Sequence, residues 1–239
     1  LSDRSIGITA KILPGDPLAT TLAAGIDIGL LGIELSNRRR NRLNGVVSLK
    51  NGDRFEVRVG QSFGNCPQYI QARKYEFKQP DAQTSKPVQE IRGFSDLAQV
   101  IVASSDTFFI ATAYQNSDAG TAKGVDVSHR GGKLGFVRID SERTLTVPDF
   151  SGNCLFNTFG NLEVNPKAGL LFTDFQTGNL LYLTGTAEVI WSGVEISQYA
   201  GAERLLRFYL DQGFLVENSL PLRWSSPEFS PRLKNTGAW

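Results

Sequence analysis

The stretch that decides the fold runs from Asp106 to Trp191 and consists of short apolar runs separated by polar turns. Its successive segments are FFIATAY (108–114), GVDVSHRGGKLGFVRI (124–139), TLTVPDF (144–150), NLEVNP (161–166) and AGLLFTDFQTGNLLYLTGTAEVIW (168–191). Apolar and polar residues alternate along the last segment, which is typical of a half-buried antiparallel strand. One face of that strand is predicted to carry Leu181, Leu183, Ala187, Val189 and Trp191. Many short strands and few helices favour a mainly β barrel over a layered α/β fold.

Two short helices are predicted beside the strands. Ser95 can cap the N-terminus of a helix over residues 95–103, which carries an apolar stripe. Asn157 or Thr158 can cap a second helix, which must end near Pro166 because proline disrupts a helix interior.

The bulk composition is that of an ordinary soluble globular protein. The chain has 239 residues, 41% of them hydrophobic, and a formal net charge of +1, so no global field favours nucleic acid or an anionic membrane as a partner. No apolar run is long enough to span a bilayer, and no cleavable signal peptide is visible. One histidine and two cysteines do not make a usual structural zinc site. These features predict a cytoplasmic protein without a metal, in which Cys66 and Cys154 are reduced thiols, with a disulfide as the alternative.

Four regions are predicted from shifts in composition. Residues 1–79 form an incomplete barrel-like half, and residues 80–92, polar with two prolines, form a linker. Residues 93–224 form the main barrel, and residues 225–239 form an extended C-terminal tail.

An internal repeat links the first and third regions. The segment GLLGIELSNRRRNRLNGVV (29–47) aligns without gaps with GLLFTDFQTGNLLYLTGTA (169–187), at a constant offset of 140 positions. The identical positions in the first copy are Gly29, Leu30, Leu31, Leu43 and Gly45. Each copy has the layout of a strand, a polar turn and a strand, which predicts a β-hairpin. The repeat indicates two related barrel halves; two unrelated hairpins are the alternative.

Two segments carry residues suited to an anionic group. Ser128, His129 and Arg130 lie next to two glycines in GVDVSHRGGK (124–133), and hydroxyl, imidazole, guanidinium and free amides together suit phosphate. The simpler alternative is a strand ending in a basic, solvated turn. FSGNCLFNTFGNL (150–162) offers hydroxyls and amides just ahead of a helix, where phosphate also binds; ordinary helix capping is the alternative.

Two further motifs are interpreted more simply. NRRRNR (37–42) is interpreted as a solvated hairpin turn, because no aromatic residues are interleaved with its arginines, with contact to phosphate or RNA as the alternative. SFGNCPQYI (62–70) is interpreted as a turn above a packed Cys66, with a Cys66–His129 nucleophile pair as the alternative.

The strand order over residues 105–224 resembles that of the pyridoxamine 5'-phosphate oxidase-like split-barrel family. The most specific piece is NLEVNPKAGLLF (161–172), which is similar to the family's NL-x-x-NP followed by an apolar strand. The first half of the chain resembles a longer, flavin-nucleotide-binding subgroup. The resemblance implies an antiparallel split β-barrel that holds FMN, often at a dimer interface.

The resemblance also implies the site residues. The FMN phosphate would lie at the second strand of the barrel and near the helix after residue 156. The implied cofactor-binding residues are Asp126, Ser128, His129, Arg130, Asn157, Thr158, Asn161 and Asn179. Where the family often carries an Arg-Lys pair, this chain has Asn157-Thr158, so Arg130 would have to supply more of the positive charge.

The function implied by the resemblance is FMN binding in a flavin-dependent oxidoreductase. The protein would be a homodimer, with a reductase as partner or as a fused module. One alternative is a flavin-binding module without enzymatic activity, which carries the cofactor or docks a partner. Another is a split barrel that has lost FMN or has taken haem or a deazaflavin instead.

Overall fold

The computed structural model describes residues 4–78, 87–114, 124–152 and 155–238. The strands are β1 Ser5–Thr9, β2 Asp27–Glu34, β3 Arg39–Asn51, β4 Arg54–Gly64, β5 Tyr75–Phe77, β6 Gln89–Ile91, β7 Thr107–Tyr114, β8 Gly124–Gly131, β9 Arg138–Ser141, β10 Thr144–Phe150, β11 Lys167–Thr173, β12 Leu180–Ile190, β13 Ala202–Val216 and β14 Leu222–Trp224. The helices are α1 Leu18–Thr21, α2 Asp96–Ala103 and α3 Asn157–Val164.

The larger of the two main sheets has eight antiparallel strands and curls into a half-barrel, as the sequence predicts. Its order is β8-β7-β11-β12-β13-β10-β9, and β6 pairs with β13. The concave face buries Phe108, Phe172 and Phe208 completely. Leu181 and Leu183 of β12 lie in the same core, which confirms the predicted alternation, whereas Trp191 follows the end of the strand and is half exposed.

A smaller sheet of four antiparallel strands, in the order β1-β4-β3-β2, packs through β2 and β3 against β8. Among the described residues, its buried apolar cluster has five members, against 24 in the cluster that the larger sheet forms with α2, α3 and the adjoining loops. The members are Leu22, Ile28, Val47, Phe55 and Val57. The contact with β8 includes buried polar side chains, which are described with the site below.

The hairpin repeat predicted from the sequence is present and has the same register in both copies. Leu30 pairs with Leu43 in the first hairpin, and Leu170 pairs with Leu183 in the second, again an offset of 140. The equivalence extends to the neighbouring strands, because the order β1-β4-β3-β2 matches β10-β13-β12-β11 of the larger sheet.

A β-bulge lies at the same place in each copy. In the small sheet the register shifts between Asn44 and Gly45, and in the large sheet between Thr184 and Gly185. At each glycine a Cβ atom would come within 2.2 or 2.0 Å of a carbonyl oxygen of the next strand, so only glycine fits.

The predicted helices are present, but one of the two predicted caps is wrong. Ser95 caps α2, and its Oγ accepts a hydrogen bond from the Ala98 amide at 3.4 Å. Helix α3 begins at Asn157 and has Phe156, without a side-chain cap, at the N-cap position. The Thr158 hydroxyl donates to Asp126 instead, so it is not available for capping. The helix ends at Val164, just before Pro166, as predicted.

The segments expected to be a linker and a tail both contact the body of the protein. Gln89–Ile91, at the end of the expected linker, forms β6 and pairs with β13, while residues 80–86 lie outside the described part. In the tail, Glu228 pairs with Ala72 through two backbone hydrogen bonds, and Leu233 is buried. The described tail residues therefore pack against the body of the protein and do not extend away from it.

Candidate functional site

A polar cavity of about 120 Å³ lies at the seam between the small sheet and β8. Chain segments from both sheets form its walls, including β3, β8, β10 and the start of β13. The charged or titratable residues that line the cavity are Arg40, Arg42, Cys66, Tyr69, His129, Arg130, Asp149, Glu203 and Arg204.

Strand alternation directs two arginines of NRRRNR into this seam. Arg39 and Asn41 are exposed, whereas Arg42 is buried and Arg40 is half buried. The turn of the hairpin is formed by the short 3-10 helix Leu35–Asn37 and Arg38, so three of the four arginines already belong to β3. The interpretation of this motif as a solvated turn is therefore wrong, because a strand has two faces and only one of them meets water here.

Arg42 binds two of the residues predicted to hold a cofactor, and a third is bonded to one of these two. Its Nη1 lies 2.9 and 3.0 Å from the two carboxylate oxygens of Asp126, and its Nη2 lies 2.6 Å from the Ser128 hydroxyl. Thr158 donates to the same carboxylate at 3.1 Å. Arg42 and Asp126 are both buried, so this network ties the small sheet to β8 and α3. Asp126, Ser128 and Thr158 thus have structural partners within the chain.

His129 is the buried imidazole of the cavity. Its Nδ1 lies 3.3 Å from the guanidinium of Arg40, and because a guanidinium only donates, Nδ1 accepts and the ring proton is assigned to Nε2. Nε2 has no hydrogen-bond partner among the described residues. Burial, reinforced by Arg40 and Arg130, lowers the pKa of His129 well below its usual value. The ring is therefore neutral near pH 7 and offers one N–H donor.

Arg130 and Arg204 share the carboxylate of Asp149. Arg130 is ion-paired with Asp149, and Nε of Arg204 lies 3.5 Å from the other carboxylate oxygen. Burial raises the pKa of Asp149, while the two arginines oppose this shift. The guanidinium groups also lie over aromatic rings, Arg130 at 4.6 Å from the ring centre of Phe159 and Arg204 at 4.8 Å from that of Phe156.

The cavity keeps an excess of unused positive donors. Nε of Arg130 and Nη1 of Arg204 are buried and have no hydrogen-bond partner among the described residues. Arg40, Arg130 and Arg204 face two carboxylates, Asp149 and Glu203, which leaves a local charge of +1 after Arg42 and Asp126 cancel. Burial, together with Arg42 and Arg130, lowers the pKa of Arg40. Since unpaired buried donors are costly, this arrangement favours an anionic ligand.

Cys66 lines the same cavity as a free, half-buried thiol. Its Sγ lies 3.4 Å from the Gln68 side-chain oxygen and 4.0 Å from Nη2 of Arg40. Arg40 is thus hydrogen-bonded to both Cys66 and His129, so the two do not form a direct nucleophile–base pair. Cys154 lies outside the described residues.

The structure brings three of the eight predicted cofactor residues to the cavity: Ser128, His129 and Arg130. Asn161 donates to the Thr112 hydroxyl at 3.1 Å, and Asn157 starts α3 away from the cavity lining. Asn179 lies at the start of β12, with β11 and β7 between it and β8, and accepts from the Asn218 amide at 2.7 Å.

Comparisons with known proteins give structural neighbours only. No family model matches the chain, and no curated protein is similar to it. One similar solved structure is HupZ of Group A Streptococcus, which is 15% identical. The match covers 51% of this chain and 98% of the HupZ chain, with a TM-score of 0.39. Another is a candidate pyridoxamine 5'-phosphate oxidase from Lactobacillus delbrueckii, which is 14% identical. The match covers 52% of this chain and 95% of that protein, with a TM-score of 0.40. A third is the FAD binding protein from Mycobacterium smegmatis, 11% identical, covering 53% and 99%, with a TM-score of 0.34.

These neighbours include proteins of the type that the sequence resembles. TM-scores this low carry no conclusion about the function of this chain, which rests on its own side chains. Among the described residues, no helix is long and apolar enough to cross a membrane. No group of three histidine, cysteine or carboxylate side chains in the described ranges is placed to hold a metal ion.

Proposed function

We propose that the chain binds a flavin nucleotide, FMN in the first instance, and that the polar cavity receives its phosphate end. The observation that carries the proposal is the set of buried, unpaired donors around one cavity: Nε of Arg130, Nη1 of Arg204 and Nε2 of His129. Phosphate offers charged acceptor oxygens to guanidinium groups, and such charge-assisted hydrogen bonds are about twice as strong as neutral ones. The choice of a flavin among phosphate-bearing ligands comes from the sequence resemblance.

The residues present fit the phosphate and not the whole nucleotide. A cavity of about 120 Å³ is smaller than the roughly 300–1,000 Å³ of common small-molecule pockets. The proposal therefore assigns only the phosphate to the cavity. Arg40 takes the place predicted for Ser128 and Thr158, because the Ser128 hydroxyl is bonded to Arg42 and the Thr158 hydroxyl donates to Asp126.

A bound flavin would supply hydride or electron transfer, and the chain would contribute binding and orientation. Arg40, Arg130 and Arg204 would hold negative charge, and His129 would donate a neutral N–H. Oxidation of a reduced nicotinamide by the FMN-loaded protein would support an oxidoreductase, whereas tight binding without turnover would support the flavin carrier. The homodimer remains a prediction.

The first experiment is to record the visible absorption of the purified protein and to identify, by chromatography, any small molecule that heat releases. Flavin bands with FMN in the supernatant are the expected result. If the protein is colourless, equilibrium dialysis against FMN measures uptake. Failure to take up FMN would overturn the flavin assignment.

A second candidate function is favoured by the Arg42 network. Because Arg42 binds Asp126 and Ser128 from within the chain, the alternative is a split barrel whose cavity takes a different small anion. Binding of inorganic pyrophosphate, measured by calorimetry, together with absence of FMN binding would select this function.

A further inference from the structure

A second cavity lies apart from the first, where three chain segments meet. Its volume is about 280 Å³, and it is lined by the segment at Arg73, the β11–β12 turn at Phe175 and Gln176, and residues 224–227 at and after the end of β14. None of these residues lines the polar cavity at the seam of the two sheets.

Backbone hydrogen bonds fix the walls of this second cavity. The Trp224 amide donates to the carbonyl of Phe175 at 3.1 Å, and the Ser225 amide donates to the carbonyl of Lys74 at 2.8 Å. The rings of Phe175 and Trp224 meet edge to face, with their centres 5.1 Å apart. The cavity therefore has preformed aromatic walls, which lowers the cost of ordering them around a ligand.

Arg73 is the charged group of the second cavity. The residue is buried and forms a 2.6 Å hydrogen bond through Nη2 with the carboxylate of Asp106, which is also buried. Its guanidinium lies 4.2 Å from the ring centre of Phe175. Nη1 has no hydrogen-bond partner among the described residues, and an unpaired buried donor is unfavourable.

We propose that this cavity binds a small, planar aromatic compound that carries a carbonyl-type oxygen. The ring packs against Phe175 and Trp224, and the oxygen accepts the free hydrogen bond of Arg73. Because Asp106 already balances the charge of Arg73, a neutral amide binds at least as well as a carboxylate. The proposal is independent of flavin binding, since it uses none of the residues of the polar cavity.

The test is saturation-transfer NMR with benzamide, benzoate and cyclohexanecarboxamide added separately to the full chain. Benzamide is expected to give a saturable transfer signal. Benzoate should bind equally well or more weakly, and cyclohexanecarboxamide, which lacks an aromatic ring, should bind at least tenfold more weakly than benzamide. Phe175→Leu and Trp224→Leu are each expected to weaken benzamide binding at least tenfold. Arg73→Lys keeps a cation beside Asp106 but changes the donor geometry, and it should weaken binding several-fold.

Matched controls come from the aromatic residues near the polar cavity. Phe156→Leu and Trp191→Leu should leave benzamide binding unchanged, and thermal unfolding of every variant checks that it is folded. Absence of benzamide binding to the wild type at millimolar concentration would overturn the proposal. So would equal binding by folded Phe175→Leu and Trp224→Leu variants. Failure of FMN binding alone would leave this second site intact.

Discussion

The two copies of the four-strand unit have the same strand order, register and bulge, but they bury different side chains. At the positions where the small sheet presents Arg40 and Arg42 to β8, the equivalent strand β12 carries Leu180 and Tyr182. The larger sheet has 24 buried apolar residues in its core and the smaller has five. One backbone pattern thus supports either a hydrophobic core or a polar seam, and the copy with the smaller core supplies the charged wall of the candidate site.

The largest effect is expected from breaking the seam. Arg42→Met leaves the buried Asp126 carboxylate without its cation, and the expected loss is about 3–5 kcal/mol of unfolding free energy. Urea unfolding measures this loss. The double variant Arg42→Met/Asp126→Leu should recover much of it, and the exposed neighbour variant Arg39→Met should change little. If Arg42→Met is as stable as the wild type, the polar seam does not hold the two sheets together.

A matched pair of leucines tests the difference between the cores. Leu183 and Leu43 occupy equivalent register positions, but Leu183 is buried and Leu43 is only half buried. Leu183→Ala should cost about 2–5 kcal/mol, as for a buried leucine, and Leu43→Ala clearly less. Equal costs in urea unfolding would contradict the claim that the two copies differ in core strength.

The bulge glycines test what the copies share. Gly45→Ala and Gly185→Ala each push a Cβ into a carbonyl oxygen of the neighbouring strand, and each should cost about 1–3 kcal/mol. Gly32→Ala and Gly169→Ala are the controls, because their Cβ atoms would meet only ordinary contacts at 3.8 Å or more. Thermal unfolding gives the four values. If alanine lowers the stability at one bulge and leaves it unchanged at the other, the two bulges are not equivalent.

The smallest effect is a pH dependence from His129. Its pKa is lowered in the folded state, so below the unfolded value of about 6.5 the unfolded chain binds the proton and the folded chain does not. Stability therefore falls as the pH falls below about 6.5, by on the order of 1 kcal/mol at pH 5.5 from this group. His129→Gln should remove that part of the difference between urea unfolding at pH 7.5 and 5.5. An unchanged difference would mean that the imidazole is protonated in the folded protein.

Local patterns in the sequence were sufficient for the strands, the hairpin repeat and one helix cap. Leu181 and Leu183 alternate with polar neighbours, which predicts the strand. The hydroxyl of Ser95 precedes an apolar stripe, which predicts the helix cap. Both signals lie within a few residues of the chain. The site was harder to predict from the sequence, because its side chains come from segments that are far apart in the chain. Asp149 faces Arg204 only because β10 pairs with β13, a long-range contact that no local pattern specifies.

The arginines of β3 were missed for a different reason. The alternation of Arg40 and Arg42 with Arg39 and Asn41 is visible in the sequence. The predicted turn, however, covers residues 37–42, whereas β3 already begins at Arg39, so the prediction exposes Arg40 and Arg42 to solvent. The positions of Ser128, Thr158 and Asp126 near one another followed from the resemblance, whereas their internal partner Arg42 came from the other copy of the repeat.

The central claim is that the seam between the two copies binds the phosphate of a flavin nucleotide. The most direct measurement is the ratio of FMN to riboflavin affinity, obtained by fluorescence titration of the wild type, Arg40→Gln and the exposed control Arg39→Gln. The account predicts that FMN binds roughly ten- to a hundredfold more tightly than riboflavin, as for charge-assisted hydrogen bonds to a phosphate. It also predicts that Arg40→Gln reduces this ratio while Arg39→Gln preserves it. Equal affinities for the two flavins, or a ratio that Arg40→Gln does not change, would contradict the claim.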